Sequence, residues 1–352
     1  MGDAELVVGN LRKDLTVSDP VVTEAFGEWD GPVYLADTDA GVEVALVRPS
    51  PNTAPRPWLL HAVLLLLTFF TTLMAGALLS GVDPLATEFV PLWRLWFPVP
   101  TTVDWAEMAT GASFALTLMT ILMAKRHGVP ASLPYFIPFP AYYSAIGTLG
   151  AFIRIRGPLV RRSVLLDIGV GGPAVSFVLS ALLLCLGLAL SESVALPPES
   201  GLPMMVEFAG QPIRLGSGIA VHALLYLFFP TALGMHTVLL HPVAFAAWLG
   251  LFLTFLNLLP FGQLDGSHIL HALSSSVQRR AAQALWLVLI PLGALWWGWW
   301  LWAGLALLIG RGRLSHPKVL QPGIGLGRVR TIGAWSAILI FFLTFVPLTV
   351  CL

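Results

Sequence analysis

The chain has 352 residues, of which 57% are hydrophobic and 11% charged, and its formal net charge is zero. Soluble domains carry about 25% charged residues, so this composition, with a mean hydropathy of +0.82, excludes an ordinary water-soluble core and points to an α-helical polytopic membrane protein. Zero net charge argues against nucleic acid as a partner. The two cysteines, Cys185 in an apolar run and Cys351 near the end, have neither a disulfide-framework nor a zinc-knuckle spacing.

Residues 1–57 form the one clearly polar segment. Within it, 33–35 and 42–47 read as short strands between Asp-, Gly- and Pro-rich turns. That is too little chain for a large core, and a small β-rich N-terminal segment is expected. The opening residues are too polar for a signal peptide, so membrane insertion relies on an internal span. Pro51, Pro55 and Pro57 mark the linker to a membrane domain over 58–352.

A hydrocarbon layer takes about 20 apolar residues to cross as a helix. Six stretches are read as transmembrane helices: 59–79, 106–124, 168–190, 242 into the region of residue 265, 284–309 and 332–348. The run 219–233 is short and interrupted by Pro230, and reads as a partial or surface-lying helix. His61, His222 and His236 read as interfacial or structural. Trp93, Trp96, Trp105 and the tryptophans of 286–302 fit interfacial belts, and Lys125, Arg126, Arg154, Arg156, Arg161, Arg162, Arg279 and Arg280 mark a cytoplasmic face. The basic loop 311–330 then falls on the opposite face, against the same rule. Ser191 to Ser217 reads as a polar loop. The glycines in G-V-G-G-P, 169–173, would let another helix approach closely.

Two stretches carry chemistry. The first is 128–162, too mixed to span, in which G-T-L-G-A-F-I-R-I-R (147–156) reads as a strand. It is either an interfacial loop with snorkelling arginines or a re-entrant β-hairpin, since extended backbone at membrane depth must be buried in protein or line a cavity. The edge of such a hairpin can take an extended peptide as an added strand. The second is N-L-L-P-F-G-Q-L-D-G-S-H-I-L-H, 257–271. Its Asp265 lies at or near the end of an apolar span, where a carboxylate is a functional-site hypothesis by default.

These pieces, with K-R-H-G-V-P-A-S-L-P-Y-F-I-P-F-P (125–140), D-I-G-V-G-G-P (167–173) and H-P-V-A-F-A-A-W-L-G-L (241–251), resemble the site-2 protease family of intramembrane zinc metalloproteases, in its bacterial and plastid multi-span branch. The resemblance runs from about residue 59 to the end. It implies a His-Glu-x-x-His motif whose two histidines, at i and i+4 on one helical face, hold zinc around a glutamate base. It also implies a third ligand from the L-D-G motif, here Asp265, and an open fourth position for water, whose pKa the metal lowers to about 7. Asn257 corresponds to the family's asparagine that holds substrate backbone. With Gly150 and Phe152 on the hairpin strand, it completes the substrate-binding candidates.

The chain departs from the family at its centre. Counting back from His127, the motif positions fall on Leu116, Thr117, Leu118, Met119 and Thr120. Neither histidine nor the glutamate is there. No catalytic residue and no cofactor are therefore expected, with Asp265 a metal ligand only if zinc is bound. Without a cation, Asp265 is expected to face Thr117 or Thr120, with Gln263 as a further donor. His268 and His271 follow Asp265 at i+3 and i+6 and are the candidates for a rebuilt site. The reading is a pseudoenzyme that binds a transmembrane peptide or a membrane-protein client in the lipid bilayer, placed in the bacterial inner membrane. The alternatives are an active metalloprotease with non-standard ligands and a permease on a shared scaffold.

Overall fold

The computed structural model describes residues 4–12, 14–31, 33–38, 41–49, 58–92, 95–124, 135–152, 162–195, 202–230, 236–309, 312–316, 326–347 and 350–351. The N-terminal segment forms a three-stranded antiparallel sheet of β1 (Ala4–Asn10), β2 (Val33–Thr38) and β3 (Gly41–Pro49), in the order β1-β3-β2. Helix α1 (Pro20–Gly27) crosses between the first two strands, with Pro at its first turn, where a missing N–H costs nothing. Strands β2 and β3 match the sequence expectation. Strand β1 and helix α1 add to it.

Helix α2 (Trp58–Leu79) is the first membrane-length helix. Residues 82–104, expected as a connection, instead contain a hairpin, β4 (Glu88–Leu92) with β5 (Leu95–Val99). The second expected span, 106–124, is not continuous. It divides into α3 (Trp105–Ala109) and α4 (Ala112–Ala124) at Thr110 and Gly111. The break falls at a close contact with α2. Gly111 sits so close to α2 that a Cβ there would lie 1.9 Å from the Leu73 carbonyl oxygen, and Gly76 meets Gly111 in return. Two glycines let the backbones approach as small residues do at membrane helix contacts.

Strands β6 (Tyr135–Pro138) and β7 (Thr148–Phe152) pair antiparallel around a 3-10 turn at Ala141–Tyr143. The hairpin lies on α2, with Gly147 at φ +71° tight against the Thr71 carbonyl. The Tyr142 hydroxyl donates to Asp83 in the loop after α2 at 2.5 Å. Burial and that carboxylate raise the Tyr142 pKa. The segments 125–134 and 153–161, including Lys125, Arg126, Arg154 and Arg156, lie outside the described residues.

Helix α5 (Arg162–Ala189) is the second helix long and apolar enough to cross a membrane. Its Val175, Val178, Leu182 and Leu186 recur on one exposed face. An apolar outward stripe suits a lipid solvent, whereas water would favour polar residues there. The expected loop 191–217 corrects to strands: β8 (Glu192–Val194), β9 (Met204–Phe208) and β10 (Gln211–Leu215). After α6 (Ile219–Phe228) comes β11 (Thr237–Leu239). With β12 (Val350–Cys351) these form a five-stranded sheet in the order β12-β10-β9-β11-β8. Its members are short and lie far apart in sequence, and the apolar ones are hard to separate from neighbouring helical runs by periodicity.

Helix α7 (Pro242–Asn257) is buried along most of its length and packs on α4 and α5. Gly187 of α5 abuts the Ala244 backbone, and Thr254 shares a buried hydrogen bond with Ser176 at 2.8 Å. Helix α8 (Asp265–Leu273) follows a turn containing Pro260, then α9 (Ser275–Leu292), α10 (Gly298–Ile309) and α11 (Arg328–Thr344). The expected fifth span thus divides between α9 and α10, with the break at 293–297. Among the described residues two helices, α2 and α5, have full spanning length. The apolar stretches of α4, α6, α7 and α10 are shorter. Of the six expected spans, α2 and α5 are thus the ones seen as single helices of full spanning length among the described residues.

Replacing Gly111 by Ala inserts a Cβ into backbone that has no flexible end to yield. Gly111→Ala is expected to lower stability by about 1–3 kcal/mol. Thermal unfolding in detergent checks this, with Gly304→Ala as the control, because a Cβ at Gly304 meets nothing within 4 Å.

Candidate functional site

The turn from α7 to α8 is the core of the site. Helix α7 ends at Asn257, three residues before Pro260, which cannot continue a helix. Gly262 takes φ +53° and supplies the left-handed step that turns the chain. Asp265 is then the first residue of α8, where the helix dipole favours a negative charge. Its neighbour Gly266 has no room for a side chain, since a Cβ would fall 1.8 Å from the Leu258 carbonyl oxygen.

Helix α5 receives this end of α8 through its glycines. A Cβ on Gly169 would lie 2.9 Å from the Asp265 carbonyl oxygen, and one on Gly172 would lie 3.7 Å from the Asp265 carboxylate. The close approach expected of G-V-G-G-P is thus made to α8, and the Asp265 carboxylate lies beside α5. Gln263 is exposed.

The turn is held from behind by Gln278 of α9, which is 1% exposed. Its amide nitrogen lies 2.9 Å from the Pro260 carbonyl and 3.2 Å from both the Leu314 carbonyl and the Ser267 hydroxyl. Its amide oxygen accepts from the His316 backbone N–H at 3.2 Å. The Gly262 N–H donates to the Leu314 carbonyl, and the Ser267 hydroxyl to the Gly262 carbonyl. Segment 312–316 is thereby stitched to the turn. His316 also joins α8, with its Nε2 2.8 Å from Nδ1 of His268 and its ring against that of His271. Neither Gln278 nor His316 stands out in the sequence, because each reads as an ordinary polar residue near a helix start or in a basic loop.

The degenerate motif positions lie on α4. Leu116 is 57% exposed and Thr117 is buried. Thr120 is exposed, and its hydroxyl donates to the Leu116 carbonyl in its own helix at 2.6 Å.

Of the substrate-binding candidates, Asn257 is half-buried at the end of α7 and Gly150 is buried in β7. Ala151 pairs with Phe136 and Thr148 with Pro138, so Leu149 and Gly150 together oppose Ile137. This is a β-bulge, and Gly150 at φ +98° supplies the conformation it needs. Phe152 pairs with Tyr135 in register; its side chain lies outside the described residues. Among the described residues, β7 has β6 on one edge and no strand on the other.

The family model described as Peptidase family M50 matches residues 110–292, which include α4, the β6–β7 hairpin, α5, α7 and the L-D-G turn. The chain belongs to peptidase family M50. This is the site-2 protease family, so the resemblance carried by 257–271 is correct at family level. Among its relatives is "Probable zinc metalloprotease EGY2, chloroplastic" of Oryza sativa subsp. indica, 30% identical over 76% of this chain and 48% of that protein. "Probable zinc metalloprotease EGY1, chloroplastic" of Arabidopsis thaliana is 31% identical over 62% of this chain and 40% of that protein. "Probable zinc metallopeptidase EGY3, chloroplastic" of Arabidopsis thaliana is 27% identical over 77% and 48%. The chain spans about half the length of these relatives or less. No solved structure matches it. None of these relatives supports a bacterial inner membrane, since each carries a chloroplast name.

M50 chemistry needs three donors on zinc, and the residues at this chain's motif positions do not fit. Leu116 has no donor atom, and the Thr120 hydroxyl is engaged within its own helix. Among the described residues no group of three or more His, Cys, Asp or Glu side chains stands where it could hold a metal ion. His268 and His316 direct ring nitrogens at one another. No step through zinc is derived for this chain.

Two outcomes follow, one from the Gln278 buttress and one from the cap at the far end of α7. Gln278→Leu keeps the volume but removes the side-chain partner of the Pro260 carbonyl and the His316 N–H, and leaves the Leu314 carbonyl with the Gly262 N–H alone. It is expected to cost about 3 kcal/mol, read as lower thermal stability and faster proteolytic nicking within 258–264. At the other end of α7, Nδ1 of His241 accepts from the Val243 N–H, which only an unprotonated Nδ1 can do. Burial holds the His241 pKa below its ordinary 6.5. The unfolded chain therefore takes up this proton first as pH falls. The stabilisation is present above 6.5 and is lost as pH drops below it. Melting temperature is expected to fall more steeply on acidification for the wild type than for His241→Asn, which retains a capping acceptor.

Proposed function

We propose that this M50 member is non-proteolytic and holds a transmembrane segment of a client without cutting it. The reading is supported by the sequence, which contains no His-Glu-x-x-His, and by Leu116, Thr117 and Thr120 on α4, the residues that a gapless count back from His127 assigns to the first histidine, the glutamate and the second histidine. Leucine cannot coordinate, and a threonine hydroxyl cannot replace a carboxylate base at neutral pH. Without metal or base, water at Asp265 stays close to its bulk pKa and is a poor nucleophile.

Other parts of the site support client binding. The edge of β7 that carries no strand among the described residues offers backbone groups to an extended segment. Asn257 and the L-D-G turn lie at the end of the same α7 that packs against α4. The client would be a membrane protein whose helix unwinds at the β7 edge, and the bound chain would be shielded from, or presented to, an active relative. The chloroplast names of the relatives favour a plastid membrane over a bacterial one as the place where this happens.

A second reading is an active metalloprotease with other ligands. It is favoured by His268 and His271 following Asp265 on α8, with His316 packed against both.

Metal content and cleavage separate the two. Purified protein is expected to carry well under one zinc per chain, unchanged by Asp265→Ala, and to leave a generic transmembrane substrate intact. Stoichiometric zinc that disappears with Asp265→Ala, or chelator-sensitive cleavage, would establish the second reading instead.

A further inference from the structure

Beside the L-D-G turn lies a cavity of about 360 Å³ bounded by the end of α7, α8, α9 and α11. Leu258, Ile269, Ala284, Val288, Ala337 and Phe341 are among its walls, and every residue lining it is apolar. Its rim carries Val288 and Phe342, which are exposed, so the cavity opens sideways where a membrane chain meets lipid. Such a space holds no hydrogen-bond partner for a polar ligand, whose unmatched groups would each be costly there.

The size of the cavity selects among apolar occupants. A transmembrane helix is about 10 Å across even in its slimmest form, so 360 Å³ corresponds to about 5 Å of its length, less than one turn. A client helix does not fit inside. A single hydrocarbon chain, far narrower and without polar atoms, does.

The charge at one end of the cavity selects the head group. Arg280 precedes Ala284 by four residues on α9, so the two share a face one turn apart. The sequence around it, S-S-S-V-Q-R-R, is the polar end of α9, and the apolar run that lines the cavity begins at Ala281. Arg279 and Arg280 are both exposed, and neither makes a hydrogen bond or ion pair with any described residue. Arginine presents a planar fork of donors suited to phosphate, and its stem can lie along apolar surface while the charge reaches the interface.

We infer that this cavity is a binding site for one anionic phospholipid, with an acyl chain between α8, α9 and α11 and its phosphate on Arg280. The site uses Leu258, Pro260 and Gly266 of the L-D-G turn as part of its wall but lies apart from the β7 edge that would hold a client, and does not depend on whether the chain cleaves anything. The lipid chain contacts the back of α8 at Ile269 and Leu270. Binding there braces the helix that presents Asp265 between α9 and α11.

The test is native mass spectrometry of the full chain released from mild detergent, after equilibration with phosphatidylglycerol or phosphatidylcholine of equal chain length. Retention of one phosphatidylglycerol per chain is expected, in preference to phosphatidylcholine. Arg280→Gln, an exposed change that leaves the core intact, is expected to reduce that retention about tenfold. Arg12→Gln on the N-terminal sheet removes the same charge and is expected to have no effect. Ala284→Phe fills the cavity from a partly open helix face and is expected to abolish retention while the melting temperature stays near that of the wild type. Equal retention of both lipids, or retention unchanged in either Arg280→Gln or Ala284→Phe, overturns the proposal. So does cross-linking of a transmembrane peptide, in place of lipid, to a photoreactive group at position 284.

Discussion

The buried amide of Gln278 is the constraint on which the site depends. A turn between two helices inside an apolar protein exposes carbonyl and N–H groups that have no helical partner. Each must be matched or it costs on the order of 1–3 kcal/mol. Gln278 matches the Pro260 and Leu314 carbonyls and the His316 N–H from one side chain. The L-D-G turn, the start of α8 and segment 312–316 are therefore one hydrogen-bonded unit, and Asp265 has its position because that unit is closed. The glycines of α5 complete the arrangement from the opposite side, since any side chain at Gly169 would push α8 away.

This architecture separates positioning from chemistry. The α7–α8 turn, the glycine face of α5 and the bulged β7 all fall within the stretch that the M50 family model matches. The α4 positions expected to carry the motif hold leucine and threonine. The positions left to Leu116 and Thr120 are exposed on α4, whereas the residues between and beside them, Phe114, Ala115, Leu118, Met119 and Ile121, are buried against the core. Packing constrains one face of this helix and leaves the other open to change. A scaffold can in this way keep its shape while the residues on its open face differ.

Much of this was readable in the sequence. Unbroken apolar runs located α2, α5 and α7, because in lipid such runs have few alternatives to a helix. The N-terminal strands followed from their turn residues, and L-N-L-L-P-F-G-Q-L-D-G-S-H carried the family. What the sequence hid were the breaks and the partners. Hydropathy does not register that Gly111 must approach Leu73, or that Gly293 lies under the Trp300 ring, since those residues are as apolar as a continuous span requires. The five-stranded sheet joins pieces from residue 192 to residue 351, and no local pattern announces a pairing over that separation. Gln278 and His316 are 38 residues apart and meet through tertiary folding alone.

The backbone contact between α2 and α4 has a consequence for how the chain holds together in lipid. With glycine at both 76 and 111, the two helices meet main chain to main chain, and the contact owes nothing to expelled water. Close van der Waals fit of this kind works as well among hydrocarbon tails as inside protein. The α2–α4 pair is thus joined by shape, and widening either glycine would part the two helices even where no water waits to enter.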